Sequence, residues 1–151
     1  DAKNDEAINK INHLKNRISP MSVIAPSKRV VKSWLNIKES QKREALSLLD
    51  GGKTIIVPVN ENIVSKKICG NNNSLGIRIP NHPFCSLLSN NFPNPITTTS
   101  VNRTKMPAMI EPLKIIKEFS KGVDLIIEDG NINQKGSEIR MLKKDNWIRI
   151  R

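Results

Sequence analysis

Short apolar runs typical of β-strands alternate along this chain with amphipathic segments typical of α-helices, and this alternation is its most restrictive feature. Interleaved strands and helices favour an α/β layer fold over a helix bundle or a β-sandwich. The 151 residues show no internal repeat and no linker long enough to divide them, so we expect one domain over 1–151.

The boundaries of the segments follow from their turn residues and caps. Asn4 and Ser27 are predicted N-caps, and the glycines after Asp50 end a helix. Pro83 stands where another helix can begin. Helices are predicted at 4–14, 27–35, 39–49, after Pro83 and at 111–119, and strands at 21–25, 54–57, 75–79, 96–99, 123–127, 138–142 and 147–150.

The chain is strongly basic, with 25 Lys and Arg against 14 Asp and Glu and a net charge of +11. The excess is shared by both halves of the chain, which indicates a domain that attracts nucleic acid, nucleotides or an anionic membrane. The alternative is a composition biased towards Lys and Asn. No apolar run approaches the roughly 18–20 residues needed to span a bilayer. Cys69 and Cys85 alone cannot build a disulfide scaffold or a zinc site, so we expect a cytoplasmic protein.

Two polar segments stand where an element ends. Lys15-Asn16-Arg17 closes the first helix, and its cations, which we expect to be exposed, can converge on a carboxylate or phosphate. They can equally serve the helix dipole. Ser100-Val101-Asn102-Arg103 leaves a Thr-rich strand with hydroxyl, amide and guanidinium groups suited to phosphate, ribose or base. The alternative is a turn in which these side chains bond their own backbone.

A third segment, Arg78-Ile79-Pro80-Asn81-His82-Pro83, points a cation out of a strand and then turns into a helix. His82 is expected to bond the start of that helix, and His13 to lie at the surface. The chain has no Walker-type phosphate loop, no dinucleotide fingerprint and no zinc-protease or serine-hydrolase motif. With five aromatic residues and no Tyr, base stacking of the RRM type is not expected.

In this order, the segments resemble the YrdC-like family, the L-threonylcarbamoyladenylate synthases. Lys15-Asn16-Arg17 is similar to the family's K-x-R signature, and Ser100-Val101-Asn102 to its S-x-N signature. Arg78 to Pro83 looks like its R-x-P-x-H-P segment. Three further segments match in order. The family's strand entry resembles Gly52-Lys53-Thr54, and its next strand with a serine turn resembles Val123 to Ile126 with Gly136-Ser137. Its terminal I-x-R strand resembles Trp147 to Arg151.

The resemblance implies an open, twisted mixed sheet with flanking helices and a basic concave face. It implies a nucleotidyltransferase that joins ATP, L-threonine and bicarbonate, with Mg2+, releases pyrophosphate and supplies tRNA threonylcarbamoyladenosine modification. Lys15 and Arg17 would be catalytic, neutralising charge as it develops. Nucleotide binding would fall to Thr54, Arg78, Ser100, Asn102, Ser137 and Arg149, and no residue is assigned to a metal.

The chain departs from the family pattern in three places. The spacing after Arg17 is short, and the lysine that the family carries before its next strand has no counterpart, Ser19 being nearest. Asp1-Ala2 resembles the last pair of a threonine-bearing segment, and the earlier part of that segment is absent from this sequence. Glu138 stands after Ser137 where the family has a second hydroxyl. Two alternatives therefore stay open, a non-catalytic double-stranded RNA or tRNA-binding module on the same fold, and an accessory domain of a larger carbamoyl-transfer enzyme.

Overall fold

The computed structural model describes residues 1–17 and 20–151. This part of the chain forms five α-helices and six β-strands, with three short 3-10 turns at Lys66–Ile68, Asn71–Asn73 and Ser120–Gly122. In chain order they are α1 (Asp5–Lys15), β1 (Ser22–Ile24), α2 (Lys28–Trp34), α3 (Glu39–Leu48), β2 (Lys53–Pro58), β3 (Ser74–Arg78), α4 (Pro83–Asn91), β4 (Ile96–Thr98), α5 (Pro112–Phe119), β5 (Glu138–Lys143) and β6 (Asn146–Arg149).

The six strands form one mixed sheet in the order β4-β1-β3-β2-β5-β6. The pairs β1–β3 and β2–β5 are parallel, and the other three pairs are antiparallel. The predicted α/β fold with an open mixed sheet is therefore confirmed. The positions at which the helices begin also agree, because Asn4 Oδ1 accepts from the Ala7 amide (3.0 Å) and Ser27 Oγ from the Val30 amide (3.3 Å).

The main hydrophobic core lies on one face of the sheet, here called the first face, against α1, α2 and α3. Because strand side chains alternate between faces, Ile55, Val57, Leu75 and Ile77 enter this core. Their neighbours point to the second face, among them Thr54, Ile56, Gly76 and Arg78. Neither α4 nor α5 adds a residue to the main cluster. Thr54 and Arg78, two of the predicted site residues, thus lie on the second face.

One predicted strand is wrong. Residues 123–127 follow the 3-10 turn after α5, but they belong to no strand of the described sheet. Leu125 and Ile127 are 73% and 61% exposed. The physical reason is that no described strand lies alongside to exchange backbone hydrogen bonds, and a β-branched run alone does not make a strand.

In residues 1–17 and 20–151, no helix combines the length and the apolar character that crossing a bilayer would require.

Candidate anion-binding site

The last residue of α1 joins two of the predicted segments. The Lys15 side chain is only 4% exposed, and its ammonium donates to Ser100 O (2.5 Å), Asn102 O (2.8 Å) and Asn102 Oδ1 (2.7 Å). These three bonds use all three N–H groups of a lysine ammonium. The K-x-R and S-x-N segments therefore meet directly, and we call Lys15, Ser100 and Asn102 the Lys15 cluster.

The loop that carries Ser100 and Asn102 is ordered by its own side chains as well. Ser100 Oγ donates to Asn102 Oδ1 (2.7 Å), and Asn102 Nδ2 donates to Met106 O (2.5 Å). The carboxamide oxygen of Asn102 thus accepts from Lys15 and from Ser100, while its nitrogen bonds the backbone further along the same loop. Both interpretations of this segment hold in part, since the side chains bond their own loop and also hold the ammonium of Lys15.

The expectation that Lys15 is an exposed cation is wrong. Burial lowers the pKa of the Lys15 ammonium, and the positive charge of Arg17 lowers it further. The buried ammonium is retained because the carbonyl and carboxamide oxygens around it replace its hydration shell. The cation therefore belongs to the packing of the loop against α1, and its removal has consequences for stability that a surface lysine would not have.

Arg17 is half-buried and points into a different environment. Its Nη2 donates to Pro20 O (3.0 Å), whereas its Nε is buried without a partner among the described residues. Arg17 lines a cleft of about 870 Å³ together with Asn9, Asn12, His13, Asn16, Lys67 and Arg103. This described lining contains no carboxylate, although Lys67 pairs with Asp5 (3.4 Å) and Arg103 with Glu118 (2.7 Å) from outside it. Arg17 is therefore the cation of the lining that is best placed to meet an anion.

A second group of predicted residues lies on the second face of the sheet. The buried Thr54 hydroxyl shares a hydrogen bond with Ser137 Oγ (2.8 Å). Arg78 lies one residue beyond the Ile55–Ile77 pair, which places it across from Thr54. Its Nε is buried and has no partner in the described part of the chain. We call Thr54, Arg78 and Ser137 the Thr54 cluster.

Arg149 does not join this cluster. It pairs across β5–β6 with Arg140, which is in register with the core residue Ile55, so Arg149 is on the first face. Its nearest ionic contact is Glu138, at 3.9 Å. Arg149 is therefore located away from the hydroxyl pair that it was predicted to accompany.

Arg151 lies where Arg149 was expected. The amides of both Ile150 and Arg151 donate to Ile139 O (2.8 and 3.5 Å), an arrangement of two residues opposite one that forms a β-bulge. The extra residue turns Arg151 towards the second face, where its Nη2 and Nε donate to Ser137 O (3.2 and 3.3 Å). Strand alternation alone would give both arginines the same face, so sequence reasoning missed this residue.

The two clusters lie at opposite ends of the strands. Arg78 of β3 pairs with Ile24 of β1, and Ile24 pairs in turn with Ile96 of β4. Because β4 is antiparallel to β1 and ends at Thr98, opposite Ser22, the chain reaches Ser100 beyond the start of β1, whereas Arg78 is level with its end. A ligand that contacts both clusters must therefore be elongated, with negative or hydrogen-bonding groups at both ends.

The donor set argues against a protein-bound metal. Among residues 1–17 and 20–151, no three His, Cys, Asp or Glu side chains lie close enough to hold an ion. Divalent cations of the Mg2+ type take oxygen ligands, usually carboxylates together with substrate phosphates. The described residues therefore offer no carboxylate cluster of this kind for Mg2+.

The fold and these two clusters define an α/β domain with a mixed open sheet and basic groups arranged for an elongated anion. A family model named Sua5_yciO_yrdC, with the description "Telomere recombination", matches residues 1–151. The chain therefore belongs to the Sua5/YciO/YrdC family.

Two relatives show how far this similarity extends. The chain is 31% identical to the putative threonylcarbamoyl-AMP synthase of Methanocaldococcus jannaschii, with 99% of this chain and 71% of the relative aligned. It is 26% identical to the threonylcarbamoyl-AMP synthase of Photobacterium profundum, with 99% and 83% aligned.

Two solved structures share the fold. E. coli YciO superposes with a TM-score of 0.87 at 19% identity, covering 99% of this chain and 74% of YciO. P. abyssi Sua5 complexed with L-threonine superposes with a TM-score of 0.83 at 22% identity. This chain spans 45% of the length of that Sua5 chain.

Proposed function

We propose that the protein is a threonylcarbamoyl-AMP synthase that joins ATP, L-threonine and bicarbonate with release of pyrophosphate, in the cytoplasm. Its product would supply the threonylcarbamoyladenosine modification of tRNA. The proposal is supported by two relatives, which carry the name of this activity, and by the fold shared with P. abyssi Sua5, a protein solved in complex with L-threonine.

The observation that carries the proposal is a pair of half-buried arginines, Arg17 and Arg78. Each has a buried Nε with no partner among the described residues. A buried guanidinium donor without an acceptor costs free energy, which an anionic ligand would recover. The two arginines belong to different ends of the sheet, as an elongated ligand such as ATP with its acyl partner requires.

Each predicted residue receives a role in this scheme. Lys15 and Arg17 would neutralise charge that develops on carbamate, carboxylate or phosphate. Lys15 would do so through its charge alone, because its three N–H groups already bind the loop, and Ser100 and Asn102 would orient the nucleotide. Thr54, Arg78 and Ser137 would complete the anion site on the second face. Arg151 is better placed than Arg149 for this task, because it already contacts Ser137.

In the proposed reaction the protein would hold ATP, bicarbonate and the threonine carboxylate close together and exclude competing water. No covalent nucleophile is needed, since threonine nitrogen and bicarbonate supply the reacting atoms. ATP is a substrate, and Mg2+ bound to its phosphates would supply further positive charge. The protein's own contribution is fixed cations and hydrogen-bond donors, which need little reorganisation when charge develops.

The test is pyrophosphate release by the full-length protein, measured with threonine and bicarbonate present together or omitted one at a time. We expect release only when ATP, threonine and bicarbonate are all present. Arg78→Ala should lower kcat/KM by about tenfold or more, because a charge-assisted contact with the substrate is lost. Arg43→Ala is the matched control, since Arg43 is an exposed arginine of α3. Pyrophosphate release that is indifferent to threonine contradicts the proposal.

A second candidate function is binding of tRNA or double-stranded RNA without catalysis. The observation that favours it is the cleft beside Arg17, whose lining also includes Lys67 and Arg103. Binding through phosphate contacts weakens steeply with salt, because condensed counterions are released. Fluorescence anisotropy with tRNA and with duplex RNA over a salt series measures this slope. Affinity that does not change with salt speaks against this function.

A further inference from the structure

The C-terminal end of α1 is closed by the loop that follows Asn102. The last carbonyls of a helix have no partners within the helix. Here Arg103 Nη1 donates to Leu14 O (2.8 Å), and both the amide and the hydroxyl of Thr104 donate to Lys15 O (3.1 and 2.9 Å). The positive charge of Arg103 also suits the negative end of the helix dipole.

The contacts between α1 and this loop run in both directions. The Lys15 side chain donates to the oxygens of Ser100 and Asn102, while its main-chain carbonyl accepts from Thr104. The position of the buried ammonium therefore depends on the position of the loop, and the position of the loop depends on the bonds at residues 103 and 104.

Arg103 is in turn held by α5. Its Nε donates to Glu118 Oε1 (2.7 Å), and its guanidinium lies 5.5 Å from the centre of the Phe119 ring. Phe119 is 6% exposed and lies outside the main core cluster. The guanidinium thus joins three elements, because one edge reaches α1, one edge reaches α5 and its plane contacts an aromatic ring.

We propose that Arg103 is a positioning residue that fixes the Lys15 cluster by tying the end of α1 to α5. The planar fork of arginine makes this possible, since two of its N–H groups reach acceptors on different elements. Lysine offers a single point charge and can satisfy one of the two acceptors at a time. The catalytic part of this inference rests on the proposed function, whereas the positional part does not.

The positional part is tested by the reactivity of Lys15 towards acetic anhydride, measured by peptide mass spectrometry in the full-length protein. Lys10 is the internal reference, because its side chain is 74% exposed. In the wild type we expect Lys15 to be acetylated far more slowly than Lys10. Arg103→Met keeps the stem over Phe119 but removes every donor, and should raise the Lys15 rate relative to Lys10 by about tenfold.

Arg103→Lys should fall between wild type and Arg103→Met, and Arg43→Ala should match wild type. Circular dichroism checks that each variant is folded. If Arg103→Met does not fold, the acetylation rate of Lys15 in Arg103→Lys is the measurement that tests the proposal. Unchanged protection of Lys15 in a folded Arg103→Met protein, or in a folded Arg103→Lys protein when Met fails to fold, overturns the proposal. A lower melting temperature without any change at Lys15 also overturns it, since that indicates a purely structural arginine.

Pyrophosphate release separates the two proposals. In an active wild type, Arg103→Met should lose about tenfold in kcat/KM, and Arg103→Lys should recover part of the loss. Full activity of Arg103→Met overturns the positioning role while leaving the proposed function intact. A wild type that releases no pyrophosphate with all three substrates overturns the proposed function, and the Lys15 acetylation rates still decide the role of Arg103.

Discussion

Replacing Lys15 by Met removes one buried charge and leaves the carbon stem almost unchanged. The structure gives the ammonium three acceptors, Ser100 O, Asn102 O and Asn102 Oδ1, at 2.5, 2.8 and 2.7 Å. Hydrogen bonds from a charged donor contribute more to the free energy of unfolding than neutral ones. The Met variant, however, does not have to desolvate a buried ammonium, which offsets part of the loss. We expect a net loss of about 2–4 kcal/mol in the free energy of unfolding. For a chain of this size, this lowers Tm by about 4–16 °C.

The measurement is urea unfolding followed by far-UV circular dichroism, with Lys10→Met as the matched control. Lys10 lies on the same helix, but it is 74% exposed and pairs with Glu6 four residues earlier. Its replacement should cost less than about 0.5 kcal/mol. If Lys15→Met is as stable as Lys10→Met, the ammonium does not hold the loop, and our account of the cluster fails. Ligand binding should be compared only in samples that remain folded.

Two further predictions concern the sheet and the pH dependence of stability. A Cβ at Gly76 would lie 2.5 Å from Ser22 Oγ and 3.2 Å from Ser22 Cα, so Gly76→Ala should cost about 1–3 kcal/mol in urea unfolding. Gly52→Ala, where nothing lies within 4 Å, is the control, and equal stabilities would refute the steric argument. The hydrogen bond from Arg140 lowers the pKa of Glu138 below its ordinary value of 4.5. The ionised Glu138 carboxylate therefore stabilises the folded protein near neutral pH, and this contribution disappears as the pH falls through the lowered pKa. Glu138→Gln should therefore be less stable than wild type near neutral pH and equal to it in acid; an equal difference at both pH values in urea unfolding would contradict this.

Local sequence predicted most elements because it contains their causes. The N-cap of α1 at Asn4 and that of α2 at Ser27 depend on side chains that bond the backbone three residues later, and both were found. Residues 123–127 show the limit of this reasoning. Their β-branched pattern is real, but a strand exists only when another strand lies beside it, and that is a property of the folded chain.

The candidate site was predictable in its residue types but not in its geometry. The order of the motifs led us to expect Lys15 near Ser100 and Asn102, and the structure shows it in contact with both, although they lie 85 and 87 residues away in sequence. Nothing local indicated that the ammonium would be buried, since burial depends on a loop that folds over the end of α1. Likewise, Arg151 rather than Arg149 contacts Ser137 because of a β-bulge, which no periodic pattern in the sequence reveals.

The order of the residues was enough to establish the α/β class, the succession of the segments, most of their boundaries and the polar residue types available for binding anions. These properties follow from hydrophobic periodicity, capping and turn chemistry, all of which act over a few residues. The folded chain was needed to establish which cations are buried, which face of the sheet each strand residue occupies, and how Arg103 joins α1 to α5. Those outcomes arise from contacts between residues distant in the chain, whose geometry no local pattern encodes.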